Sequence, residues 1–158
     1  MTRKDELLAA FDDAWGHKWE SLESALNGAT EEEVMYRHYS YADEPPEEEH
    51  PPAGTILWHL VHLAHCYRNY AVRIEHRPHK QEDLPAPSAG SLSEAIDNLK
   101  RYRKELRKAI ERVPEPALEE KLPSGEPIAS FVRSVVRHDA WHAAQIVVVR
   151  RLWRTREK

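Results

Sequence analysis

From Leu8 the apolar residues Leu8, Phe11, Trp15, Trp19, Leu22 and Leu26 recur at three- and four-residue steps, the period of one helix face. The spacing predicts a first helix that Asn27 and Gly28 stop. Thr30 with Glu33 three residues on is a capping-box pattern for a short helix through about Tyr36. The stretch YADEPPEEEHPP is acidic and proline-rich and should be an exposed connection. Thr55 can cap a second long helix, in which Ile56, Leu60, Leu63, Ala64, Tyr67, Tyr70, Ala71 and Ile74 form the buried stripe. It ends before Pro78, and RPHKQEDLPAPSAG leads to Ser91 and Glu94, another capping box. A third long helix then turns Leu92, Ala95, Leu99, Tyr102, Leu106, Ile110 and Val113 inward, with lysines and arginines between them, and stops at Pro114. PEPALEEKLPSGEP reads as loop, and a fourth helix runs from about Ile128 through Phe131, Val135, Ala143 and Val147 to Trp153.

Four such stripes and no convincing alternating run predict an all-α fold, a four-helix bundle occupying residues 1–158 as a single domain. The two long proline-rich connections exceed what antiparallel neighbours need, so one or both are expected to cross the end of the bundle. A chain of 158 residues is long enough to bury a core without staples. The formal net charge of -4, with basic residues spread out apart from RRLWRTREK, argues against nucleic acid as a main partner. No segment is apolar for long enough to cross a bilayer, and the start MTRKDELLAAFDDAW lacks an unbroken apolar core. With Cys66 the lone cysteine, these features predict a soluble cytoplasmic protein without a disulfide framework.

The compositional oddity is ten histidines. His17, His38, His50, His76 and His79 fall at helix ends or in loops and need no special account. His138 and His142 differ, because they sit four residues apart inside the mostly apolar VVRHDAWHAAQIVVV. Burying two imidazoles costs free energy unless they find partners. Four-residue spacing puts both rings on one helix face, where they can converge on a transition metal. Gln145 returns to that face and suits either a site hydrogen bond or a polar core contact. A third ligand must come from another helix. In HLVHLAH, residues 59 to 65, the three histidines step around the helix by roughly 60° each, so they cannot all face one point. His62 is central; His59 and His65 fall to its flanks and are not expected as primary ligands, although a supporting role for one stays open. Cys66, one turn after His62, is a fourth ligand or, better, a small buried hydrophobe. On spacing alone, a three-histidine site and structural histidines are equally served.

The chain resembles the DinB/YfiT-like family of small metal-binding four-helix bundles over nearly its whole length. TILWHLVHLA matches the family's second-helix segment and puts its first metal ligand on His62. HDAWHAAQI, His138 to Ile146, fits the second signature, H-D-x-x-H followed by x-x-Q-I, at every defined position. AFDDAWGHKWESLESAL is similar to first helices of members with a Trp near the end, a less specific likeness. The resemblance implies His62, His138 and His142 as ligands of a divalent transition metal, zinc or nickel first, although three imidazoles suit copper and iron as well.

Three ligands on two helices leave coordination positions open. Two enzymatic expectations follow: hydrolysis, in which the ion activates water, and, as the resemblance to relatives that work with low-molecular-weight thiols implies, thiol transfer or isomerisation, in which the ion activates the thiol's sulfur. In the second, Arg133 and Arg137 could receive the cosubstrate's carboxylates, against a more economical reading as solvated surface. Either substrate is a small molecule. Asp139, about 100° from His138 around the helix, is no evident general base and is expected to cap, pair with an arginine or support an imidazole. A non-catalytic metal-binding or sensing module is the rival, and a homodimer is left open.

Overall fold

The structure, a computed structural model, describes residues 1–37, 51–77 and 79–156. Among these residues six α-helices follow one another: α1 (Arg3–Gly16), α2 (Leu22–Leu26), α3 (Glu31–Val34), α4 (Ile56–Glu75), α5 (Leu92–Arg112) and α6 (Ile128–Thr155). α4 packs chiefly along α5 and α1 along α6; the two pairs close on each other through α4 with α6 and α1 with α5. The result is the expected all-α four-helix bundle. In this ring α1 and α4 are diagonal, and of the long connection between them α2 packs on α6 and α3 on α4. The connection's residues 38–50, with most of the acidic proline-rich stretch, His38 and His50, lie outside the described residues.

The second proline-rich connection joins packed neighbours and does not cross. It is laid back along α4, where His65 Nε2 donates to the Leu84 carbonyl (2.8 Å) and Asn69 Oδ1 accepts from the Leu84 N–H (2.6 Å). His65 thus anchors a loop.

The stripes predicted for α4 and α5 are buried, apart from half-buried Tyr70, which packs edge-on against Phe131. Thr55 caps α4 by accepting from the Trp58 N–H, and Ser91 caps α5 by accepting from Glu94. The predicted reciprocal contact takes another form: the Glu94 carboxylate accepts from the Gly90 N–H, one residue before the cap (2.7 Å).

The predicted first helix is interrupted. α1 ends at Gly16, His17 is extended with ψ 136°, and Ser21 restarts the chain in a reciprocal cap with Ser24. Ser21 Oγ also donates to the His17 carbonyl (2.7 Å), which fixes the bend. Leu22 and Leu26 keep their buried positions, but Trp19 is 74% exposed. PEPALEEKLPSGEP is likewise more ordered than a loop. Glu115–Glu119 forms a 3₁₀ turn that buries Ala117 and Leu118, and Lys121 and Pro127 make an isolated antiparallel bridge.

Ionisable side chains enter the core, Arg103, Glu33 and Arg150 among them. Arg103 of α5, expected among the outward lysines and arginines, lies over the Phe11 ring (4.0 Å) and donates to the Phe11 carbonyl, near Asp12. Glu33 does not return to cap α3; it accepts from Arg150 Nε of α6 (2.5 Å), with side chains 3% and 7% exposed. Arg150 Nη1 also donates to the carbonyls of Ala25 (2.6 Å) and Asn27 (2.9 Å). Gly28, at φ +67°, turns the chain beside this guanidinium, a conformation a side chain resists.

Candidate metal centre

Where α4 meets α6, the polar residues of two otherwise apolar stripes face each other. The threonine cap fixes where α4 begins, and one turn in from it Trp58, His59 and His62 meet the midpoint of α6. Tyr67 OH donates to Asp139 Oδ1 (2.7 Å) with both residues fully buried, a bond that holds the two helices in register beside the histidines. Asp139 thereby acquires a partner the sequence did not indicate. Its other oxygen has no hydrogen-bond partner among the described residues. Burial raises its carboxyl to about 7, against the opposing pull of the Tyr67 hydrogen bond and the Arg103 charge.

His62, His138 and His142 converge: one nitrogen from each lies within 4.8 Å of the other two. His142 Nε2 and His138 Nε2 face each other at 3.0 Å. His142 is fully buried, whereas His62 and His138 are half-exposed, so the cluster has a closed floor and an accessible side. Trp58 stacks on His62 (centroids 4.9 Å, planes 12° apart) and Trp141 meets His142 edge-on (4.7 Å, 88°). Arg133 and Arg137 are exposed on α6.

This donor set suits a metal ion. Nitrogens bound tetrahedrally at zinc–nitrogen distances stand about 3.3 Å apart, a spacing inside the range these three occupy. Metal ligation needs neutral imidazoles. Burial lowers His138, and it holds His142 far below the ordinary imidazole value with added repulsion from His138, His59 and His62. With His138 and His142 held neutral, the three nitrogens could hold a divalent ion. Cys66 Sγ touches His62 Nε2 (3.5 Å) but does not belong to the convergent group, and burial raises its thiol.

A family model for the DinB superfamily matches residues 14–146. The chain belongs to the DinB superfamily. No curated protein and no solved structure matches it. In this DinB protein both matching segments, TILWHLVHLA and HDAWHAAQI, carry the clustered histidines, and no helix among the described residues is long and apolar enough to cross a membrane.

The residue that sequence reasoning underrated is His59. Placed on the flank of His62, it is 2% exposed and its Nδ1 meets His142 Nδ1 at 2.8 Å. A signal existed: His59 is three residues after Ile56 and four before Leu63, hence on their buried face. Burial, with repulsion from His62, lowers it to about 4.

These shifts predict acid sensitivity of the metal-free protein. His59, His138 and His142 titrate lower in the folded chain than in the unfolded chain, so their contribution is intact above about pH 6.5 and is lost progressively as the pH falls below it, for His59 down to about 4. Asp139 acts oppositely: it keeps a proton between about pH 4 and 7 that the unfolded chain releases, so its contribution is lost as the pH rises through about 7. Three imidazoles outweigh one carboxyl. The urea midpoint should fall between about pH 7 and 5, with a slope of about 1.4 kcal/mol per pH unit for each net proton. A midpoint that holds or rises on acidification contradicts it.

Proposed function

We propose that this DinB superfamily protein is a metal-dependent enzyme acting on a small molecule, with His62, His138 and His142 as ligands of a divalent transition metal, zinc or nickel. The observation that carries the reading is the convergence of three imidazole nitrogens within 4.8 Å at a site open on one side. When bound, such an ion supplies a Lewis acid able to acidify water or a thiol. The protein's own part is to hold three lone pairs together, to exclude solvent from the His142 side and to leave the His62 and His138 side accessible. The reaction is thiol-dependent group transfer or hydrolysis. Arg133 and Arg137, exposed on α6 ahead of His138, are the candidates to receive the carboxylates of a small thiol cosubstrate in the thiol reading, and their exposure equally suits solvated surface. The protein is expected to work in the cytoplasm without nucleic acid or membrane partners, as a monomer or homodimer.

A specific observation favours a second reading, a non-catalytic metal-binding or sensing module. The carboxylate next to the site, Asp139, is fully buried with one oxygen engaged by Tyr67, so it is ill placed to take a proton from substrate.

Protein purified without a histidine tag, analysed for metal and then screened for thiol transfer and hydrolysis with and without that metal, separates the readings. Turnover that needs both metal and thiol supports transfer, turnover without thiol supports hydrolysis, and binding without turnover supports the module. Metal should also raise the denaturation midpoint, because an ion held by the folded state alone adds about 2.7 kcal/mol at a hundredfold excess over its Kd. A midpoint unmoved by zinc or nickel removes the basis of both readings.

A further inference from the structure

The order in which the histidines touch gives one of them a task that ligand spacing does not reveal. His142 stands in the middle of a chain of rings: its Nε2 faces His138 and its Nδ1 faces His59. Two ring nitrogens 2.8 Å apart share one hydrogen, one donating and the other accepting. A neutral imidazole carries a single N–H. For His142 Nε2 to offer its lone pair toward His138 and His62, the hydrogen must sit on Nδ1 and be donated to His59 Nδ1. We propose that His59 is the positioning residue of the metal centre, accepting the Nδ1–H of His142 and so fixing the tautomer and ring plane that aim His142 Nε2 at the ion. The inference rests on the metal reading above.

Three features support it. His59 lies against the edge of His142 opposite Nε2, so it cannot reach an ion held at that nitrogen. Its ring is held edge-on by Trp58 (5.1 Å, 78°) and by the more distant Trp141 (6.4 Å, 70°). Its Nε2 is buried without a partner among the described residues, so the bond to His142 is the contact that compensates for burying this polar ring. Metal-bound histidines generally donate their second N–H to a carboxylate, carbonyl or water, and here an imidazole fills that place. His138, by contrast, has a buried Nδ1 with no such partner among the described residues.

Two measurements test the proposal. In metal-free wild-type protein, ¹⁵N-histidine NMR should show His142 as the Nδ1–H tautomer; the Nε2–H tautomer overturns the proposal. Zinc affinity should then be measured by chelator competition for wild type, His59→Leu, His59→Gln and His142→Ala. His59→Leu should weaken binding by about 10- to 100-fold, and His59→Gln, whose amide oxygen can accept the same hydrogen, should restore most of it. Wild-type affinity in His59→Leu refutes the positioning role while leaving the metal reading intact. A loss as complete as in His142→Ala makes His59 a ligand and also refutes it. Zinc that fails to bind even wild type overturns the metal reading, and with it the role of His59. If His59→Leu does not fold, the wild-type tautomer and His59→Gln decide.

Discussion

His142→Ala is expected to abolish metal uptake and, in the same protein, to lower the stability of the metal-free fold. On sequence grounds these outcomes were alternatives: a ligand in an open polar pocket would be lost at little structural cost, and a structural histidine would leave a cavity. The structure joins them, because His142 is fully buried while both of its nitrogens meet other imidazoles. Truncation strips His59 Nδ1 and His138 Nε2 of their partner and empties the space between α4 and α6. The cost should be about 1–3 kcal/mol in the metal-free state. His138→Ala is the control. Its ring is half-exposed, so it should lose metal with a smaller fall in midpoint. Metal content and urea midpoints of both metal-free variants against wild type test this, and stoichiometric metal in His142→Ala would remove it from the ligand set.

The long helices were readable because each carries an apolar stripe of the right period between residues that stop or cap it. Thr55, Ser91 and Pro114 mark ends that the structure places within a residue or two. The break after Gly16 escaped detection because Leu22 and Leu26 stay in phase with α1, so the apolar pattern runs through a bend made by Ser21 and Ser24. The metal candidates were visible as two short motifs, one on each of two helices. What joins them was not. Tyr67 to Asp139 and His59 to His142 are bonds between residues 72 and 83 positions apart, set by how α4 lies against α6. The same holds for Arg103, whose charge reads as surface until Phe11 and Asp12 of α1 are known to lie beneath it.

Glu33→Ala is expected to be among the most destabilising single substitutions in the chain, at about 3–5 kcal/mol. The carboxylate is 3% exposed and pairs with an Arg150 guanidinium 7% exposed, so its removal leaves a buried cation facing no countercharge. Arg150 in turn holds the carbonyls of Ala25 and Asn27, at the end of α2 and the turn after it. A single guanidinium on α6 therefore fastens the short helices between α1 and α4, which are too small to hold themselves. Arg150→Ala should cost about as much, since it strands Glu33 and frees two carbonyls. Replacing both together, Glu33→Leu with Arg150→Met, leaves no uncompensated charge and should recover much of the loss. Urea midpoints of wild type, Glu33→Leu, Arg150→Met and the double variant close a cycle that gives the coupling energy between the two positions. A Glu33→Ala cost under about 1 kcal/mol would mean that the pair is as weak as one on the surface, and that α2 and α3 are held by Leu22, Leu26 and Val34 alone.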